Sequence, residues 1–276
     1  MTDGFAVKPP YRRVIAATDG SDLAAVAVRG GALLAVRIGA ELHVFHASWD
    51  PATENLVERQ AAELLEPGSY RLAIREVPPG GSPADAIASY AAGLGDAVVV
   101  VGTHGRGGMG TTLLGSTAVN LVGQPDQAIL AYGPGAASPA EISRVIACVD
   151  GSEFSELSLK EGARWAVALQ APLWIIQVVP PGLPHYVTPY ESSYVHNLSK
   201  ELKGSGIKVE WEVLHSLTPA RSILGSFGED SSNMVVMATH GRRGLQRLLL
   251  GSVATEVVKQ AWGPVALIGP GAGLDD

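Results

Sequence analysis

Short apolar runs alternate with helix-like patterns along the first half of the chain. The run 14–18 is largely apolar and ends at an Asp-Gly pair, which is typical of a buried strand that stops at a turn. Ser21 follows, and its hydroxyl is suited to accept a free backbone N–H at the start of a helix. Four apolar residues then recur at helical spacing and predict one buried helix face: Val28, Ala32, Ala35 and Val36.

The rest of this half continues the alternation. Apolar runs predict strands over Leu42–Ala47, Arg71–Val77, Ala97–Gly102 and Ala128–Tyr132. Periodicity and cap residues predict helices over Glu54–Leu65, Pro83–Ala92 and Ser116–Val122. Strands that alternate with helices form a mostly parallel sheet whose faces the helices cover. The predicted fold class is therefore α/β.

The second half repeats the first. Three segments return in the same order: Arg13–Ser21 as Arg144–Ser152, Thr103–Arg106 as Thr239–Arg242, and Leu113–Ser116 as Leu249–Ser252. A unit of this length is a whole domain, not one repeat of a solenoid. The Pro- and Gly-containing stretch 133–139 is a natural linker. We predict two tandem domains, over residues 1–137 and 141–276.

Composition narrows the classes of function. The chain has 276 residues and a net charge of −7, with no clustered Lys/Arg run to neutralise phosphates, so we expect no nucleic-acid partner. No apolar run is long enough to span a membrane, and the N-terminal residues lack the apolar core of a signal peptide, so we expect a cytoplasmic location. The single cysteine, Cys148, lies in an apolar run and is expected to be a buried small hydrophobe.

Two strand ends carry the candidate chemistry. In open α/β sheets, ligands bind beyond the carboxyl ends of the strands, where the strand order reverses. The first predicted strand ends at Asp19 and the fourth at Gly102, and both would line one crevice if the two strands are neighbours. Asp19 and its repeat Asp150 could then accept hydrogen bonds from ribose hydroxyls or a base amino group.

A glycine pattern follows the fourth strand in both halves. Nine residues separate Gly105 from Gly115-Ser116, and nine separate Gly241 from Gly251-Ser252. Glycines allow the backbone to approach an anion and to adopt positive φ, and a helix start offers free N–H groups, so this pattern favours phosphate binding. The alternative is that the glycines only close a turn and that Asp-Gly-Ser only caps a helix.

Other motifs are weaker. The segment 105–110 matches G-x-G-x-x-G, but it follows the fourth strand and is broken in the second half, so we reject a dinucleotide fingerprint. No P-loop sequence is present. His104 and His240 have no evident nucleophile or acid–base partner, which favours a structural role. Arg106 and Arg242 could clamp phosphate or face water.

With these residues the chain resembles the universal stress protein family in its tandem, ATP-binding form. The family signature G-x2-G-x9-G-[ST] is matched in full by the first half at Gly102, Gly105, Gly115 and Ser116. The resemblance implies, per domain, a five-stranded parallel sheet of order 3-2-1-4-5 of the adenine nucleotide alpha hydrolase type. It also implies that the last strands of the two halves pair, and that two chains form a homodimer.

The same resemblance implies the ligand contacts. In the first half, ATP would meet Ala17, Asp19, Ala47, Gly102, Gly105, Arg106, Gly115, Ser116 and Thr117. In the second half, it would meet Val149, Asp150, Val178, Ala238, Gly241, Arg242, Gly251, Ser252 and Val253. Ala238 replaces the first glycine of the motif, and its methyl group could crowd the ligand or be harmless.

The sequence therefore predicts an ATP-binding stress-response regulator. Mg²⁺ is expected only through the nucleotide phosphates, with no metal site of the protein's own and no catalytic residue. Two alternatives stay open: a slow ATPase or phosphotransferase that uses the same sites, and an interaction scaffold that binds no nucleotide.

Overall fold

The computed structural model describes residues 11–103, 115–124, 128–181, 188–239 and 250–269. The first half contains β1 (Arg13–Ala17), α1 (Asp22–Ile38), β2 (Glu41–Ser48), α2 (Pro51–Leu64), β3 (Arg71–Glu76), α3 (Pro83–Leu94), β4 (Ala97–Gly102), α4 (Ser116–Val122) and β5 (Ala128–Tyr132). The second half contains β6 (Arg144–Val149), α5 (Glu153–Leu169), β7 (Leu173–Val179), α6 (Thr188–Glu201), β8 (Val209–His215), α7 (Pro219–Phe227), β9 (Asn233–Ala238), α8 (Ser252–Gln260) and β10 (Val265–Ile268). Every strand and helix predicted for the first half is present, within three residues at each end.

The ten strands form one continuous sheet. Their order is β3-β2-β1-β4-β5-β10-β9-β6-β7-β8, so each half has the predicted order 3-2-1-4-5. Within each half the described strand pairs are parallel. The halves join where β5 and β10 pair antiparallel, with Ala131 opposite Val265. The predicted pairing of the last strands is confirmed, and it removes two sheet edges that would otherwise expose unpaired backbone groups.

Helices cover both faces of this sheet. Successive residues of a strand point to opposite faces, so Val14 and Ala16 pack with one layer of helices while Ile15 packs with the other. The first layer holds α1, α2, α5 and α6; the second holds α3, α4, α7 and α8. Central strands are buried on both faces, which explains apolar runs such as that of β4.

Helix α1 shows one correction to the predicted core. Val28 and Ala35 are buried as expected, but Val36 is 81% exposed. The buried face of α1 is centred near Gly31 and Leu34, and an advance of 100° per residue carries Val36 away from it. Its counterpart in α5, Val167, is also exposed, at 39%. The apolar face predicted for α1 therefore includes one residue, Val36, that the helix turns towards solvent.

Two glycines allow the halves to approach closely. Gly133 follows β5, and a Cβ on it would collide with the carbonyl oxygen of Val258 in the last turn of α8. Gly269 follows β10, and a Cβ there would collide with the carbonyl oxygen of Val122 in α4. The two contacts are related by the internal repeat. Each half therefore packs its last strand against the other half's last helix through a glycine.

Among the residues that the structure describes, no helix combines the length and the apolar character needed to cross a bilayer.

Candidate functional site

Strands β1 and β4 are neighbours, as the predicted crevice requires. They pair in parallel with Ala17 opposite Val101, so their carboxyl ends reach the same edge of the sheet. From there β1 leads into α1 on one face, whereas β4 leads towards α4 on the opposite face. The connections therefore diverge and leave an opening between them. Strands β6 and β9, with α5 and α8, repeat this arrangement in the second half.

The strand-terminal aspartates also organise their own loops. Asp19 Oδ1 accepts a hydrogen bond from the backbone N–H of Ser21 at 3.0 Å. Asp150 Oδ1 accepts from the N–H of Ser152 at 3.0 Å and from its hydroxyl at 2.6 Å. The two serines in turn cap α1 and α5. The turn-and-cap role that the Asp-Gly-Ser pattern allows is therefore present, and a binding role would be additional to it.

The helices that follow β4 and β9 begin without a side-chain cap. Each helix starts after a glycine, Gly115 for α4 and Gly251 for α8. In the part of the chain that the structure describes, no side chain caps either first turn. A helix start leaves its first N–H groups without an intrahelical acceptor. Gly115 N donates to Thr103 O, and Gly251 N donates to Thr239 O at 2.6 Å, which ties each helix start to the end of the strand before it. These first turns therefore lie at the crevice with N–H groups that have no intrahelical acceptor.

Comparison with known proteins decides the family. Residues 10–132 and 141–269 each match the model of the universal stress protein family. The chain belongs to the universal stress protein family.

Individual relatives agree with this assignment. A universal stress protein of Mycolicibacterium smegmatis is 31% identical over 185 residues, which cover 63% of this chain and 62% of that protein's length. The crystal structure of a universal stress protein from Archaeoglobus fulgidus is similar over 96% of this chain and 98% of its own, with a TM-score of 0.66 and 16% identity, which shows the same fold. A universal stress protein solved in complex with cAMP aligns with 47% of this chain, at 20% identity and a TM-score of 0.39.

In this universal stress protein, the glycines that precede α4 and α8 have negative φ, whereas Gly20 and Gly151, which follow the strand-terminal aspartates, have positive φ. Gly115 has a φ of −55° and Gly251 a φ of −69°, so the expected positive φ is wrong at both positions. A Cβ on Gly102 would lie 3.2 Å from the backbone of Leu23, a tight approach to the start of α1. Ala238 has a methyl group at the corresponding place, so we expect that methyl to face the start of α5.

The predicted apolar contacts fall on two faces of the sheet. Ala17, Ala47, Val178 and Val253 belong to the layer of α3, α4, α7 and α8. Val149 does not join them, because its buried side chain packs in the opposite layer beside α5. The repeat offset of 131 pairs Val149 with Thr18 and pairs Ala17 with Cys148. Cys148, whose thiol is buried, is therefore the repeat counterpart of Ala17.

A partly buried network of polar side chains holds the loop that forms one side of the first crevice. His46 Nδ1 lies 2.8 Å from the carbonyl oxygen of Thr18, and its Nε2 lies 2.8 Å from Thr53 Oγ1. Thr18 Oγ1 donates to Gln60 Oε1 at 2.7 Å, and Gln60 Nε2 donates to Ser21 O at 3.1 Å. The loop that carries Asp19 is thereby fixed to β2 and α2. Sequence reasoning missed this network, because its partners are polar residues scattered over the loop after β1, strand β2 and helix α2.

The second crevice has a different support. Tyr194 donates to Glu156 Oε1 at 3.0 Å, and burial and that carboxylate raise the pKa of Tyr194. Ser155 Oγ accepts from the backbone N–H of Asp150 at 3.1 Å. Gln177 stands where the first half has His46, and its buried Oε1 has no hydrogen-bond partner in the described structure. The two crevices therefore share a frame but differ in their surroundings.

Several predicted ligand contacts lie outside the described residues: Gly105, Arg106, Gly241 and Arg242, together with His104 and His240. Of the remaining positions, Ser116 and Ser252 are exposed, while Thr117 and Val253 are half-buried in the first turns of α4 and α8. Within the described ranges no cluster of three or more His, Cys, Asp or Glu side chains could hold a metal ion.

Proposed function

We propose that this universal stress protein binds ATP in both halves and acts as a regulator whose conformation or partners depend on the bound nucleotide. The base and ribose would lie near Ala17, Asp19 and Ala47, and the phosphates near Gly115-Ser116. The second half would use Asp150 and Val178 with Gly251-Ser252. The predicted contacts Gly105, Arg106, Gly241 and Arg242 belong to the same proposal.

The observation that carries the proposal is the uncapped helix start opposite a strand-terminal aspartate, present in both halves. Hydrogen bonds to a charged phosphate contribute roughly 1.5–3 kcal/mol each. Three or four such bonds, less the cost of association, correspond to about micromolar affinity. Mg²⁺ would enter only with the phosphates.

An enzymatic role is the second candidate. A slow ATPase or phosphotransferase would use the same crevice, and it would need a base or a metal to activate the attacking group. A third candidate is a scaffold that binds partners without nucleotide. A homodimer of tandem chains, a cytoplasmic location and the lack of a nucleic-acid partner remain predictions.

The test is to denature freshly purified protein with acid and to identify and count the released nucleotide. Two ATP per chain would support both sites, and one would support a single site. Recovered ADP would favour the enzymatic role. If no nucleotide is released, a calorimetric titration with ATP and Mg²⁺ follows, and neither heat nor thermal stabilisation in that titration would reject the proposal.

A further inference from the structure

Trp49 presents an exposed indole at the edge of the sheet where the first crevice opens. It follows the last residue of β2, and its side chain is 66% exposed. Tryptophan carries one of the largest apolar surfaces of any side chain, and it is seldom left in water without a partner. Of the tryptophans that the structure describes, the next most exposed is Trp262, at 42%.

The backbone around Trp49 is held by side-chain hydrogen bonds. Ser48 Oγ donates to Asp50 O at 3.0 Å and accepts from Asp50 N at 3.2 Å. Thr53 Oγ1 donates to Asp50 O at 2.7 Å, and the Asp50 carboxylate caps α2. Trp49 therefore sits in a fixed turn while its side chain remains in solvent. A rigid backbone that presents a free aromatic ring loses little entropy on binding.

The register of the sheet places this turn beside the proposed base site. Ala17 of β1 lies opposite Phe45 of β2, so Asp19 and Ala47 are each two residues beyond that pair. Trp49 is two residues beyond Ala47, which puts their Cα atoms within about 7 Å of each other.

We propose that Trp49 stacks on the purine base of the nucleotide bound in the first half. This inference rests on the proposed function. It adds Trp49 as a residue that favours a ligand with a flat base over a polyphosphate that has no base. Stacking recognises the face of the ring and tolerates different bases, so ATP and GTP would both gain from it. The second half has Pro180 at the corresponding position, 131 residues on, and would bind without this contact.

The experiment compares wild type, Trp49→Phe and Trp49→Leu by calorimetric titration with ATP and with inorganic tripolyphosphate. We expect Trp49→Leu to weaken ATP binding at one class of site by about 5- to 150-fold, while Trp49→Phe stays within about threefold of wild type. Tripolyphosphate, which has no base, should bind all three proteins equally. ATP should also quench an exposed tryptophan emission in wild type that is missing from Trp49→Phe.

Trp211→Leu is the matched control, because Trp211 is also partly exposed but lies in the middle of the edge strand β8. It should leave ATP binding unchanged. If Trp49→Leu binds ATP as tightly as wild type, stacking is rejected while the proposed function stands. An equal loss of tripolyphosphate affinity would also reject it, because the damage would not concern the base. If wild type binds no ATP, the proposed function fails and the stacking with it.

Discussion

The hydroxyl of Tyr11, just before β1, donates a 2.8 Å hydrogen bond to the carboxylate of Glu161 in α5, 150 residues away in the other half. Arg164 completes the group: its Nη1 lies 3.1 Å from Glu161 Oε2, and its guanidinium lies 4.4 Å from the centre of the Tyr11 ring. All three side chains are buried. Burial raises the pKa of both the Tyr11 phenol and the Glu161 carboxyl. The two halves are thus joined by a buried polar cluster in addition to the β5–β10 pairing.

Glu161→Gln is expected to destabilise the protein strongly. It removes the carboxylate charge that Arg164 Nη1 contacts in the buried cluster, and breaking a buried ion pair by removing one partner costs about 3–5 kcal/mol. Tyr11→Phe removes one hydrogen bond and should cost about 1–3 kcal/mol. Denaturant unfolding of each variant measures the change in the free energy of unfolding.

A matched control exists for this cluster. Arg37 and Glu141 also join the two halves, at 3.3 Å, but both side chains are about half exposed. Glu141→Gln should change the free energy of unfolding by less than about 1 kcal/mol, because solvent screens the pair. Equal losses for Glu161→Gln and Glu141→Gln would contradict a special role for the buried cluster.

Gly133→Ala and Gly269→Ala should each weaken the junction between the halves. The added methyl would meet a backbone carbonyl, which cannot rotate away as a side chain can, so the strand or the helix must shift. Overpacking of this kind typically costs about 1–3 kcal/mol. Thermal unfolding of the variants measures the loss as a lower Tm.

Gly135→Ala serves as the comparison for these substitutions. A Cβ on Gly135 would lie 3.9 Å from the carbonyl oxygen of Ala261, an ordinary contact. This variant should therefore unfold close to wild type. A Gly133→Ala protein as stable as Gly135→Ala would show that the close approach at the junction is not needed.

Gly102→Ala should retain nucleotide binding. The added methyl would point at Leu23, where α1 begins, whereas the proposed phosphate donors belong to α4 on the other face of the sheet. The contact of 3.2 Å is tight but not prohibitive, so we expect a loss of stability of about 1 kcal/mol and an ATP affinity within about tenfold of wild type. Titration of the variant with ATP checks this.

The reverse change, Ala238→Gly, tests the same idea in the second half. If the methyl of Ala238 faces α5, its removal should not raise the ATP stoichiometry or affinity. A gain of one bound ATP per chain in Ala238→Gly would show instead that this methyl blocks the second site.

Local patterns in the sequence predicted the strands and helices, whereas the strand order came from the family resemblance and the crevice from the assumption that β1 and β4 are neighbours. The bounds of β4, α4 and β5 follow from one apolar run, one Gly-Ser start and one further apolar run. The internal repeat then predicts the same strands and helices in the second half. The resemblance to the family signature predicts the ligand. These patterns can be recognised without knowing which distant residues pack against the strand or helix.

The features that the sequence did not reveal depend on contacts between distant segments. Tyr11 meets Glu161 across the junction, and the repeat has no counterpart for this pair, since Gly30 occupies the position of Glu161. The exposure of Val36 depends on which side of α1 faces the sheet. Val149 and Ala17, which are predicted ligand contacts in the two halves, pack on opposite faces of the sheet, because successive side chains alternate along a strand.

Cys148 should make stability depend on alkaline pH. Burial raises the pKa of its thiol from 9.0 to about 12. Between these two values the unfolded chain has released a proton that the folded protein keeps, so the free energy of unfolding falls as pH rises, by up to about 1.4 kcal/mol per pH unit. Below the unfolded pKa this contribution is fully present. Cys148→Ala removes it, so the difference between wild type and variant should shrink from about pH 8 to 11. Other alkaline groups titrate in both proteins and cancel in that difference, and a difference that stays constant over this range would contradict the raised pKa.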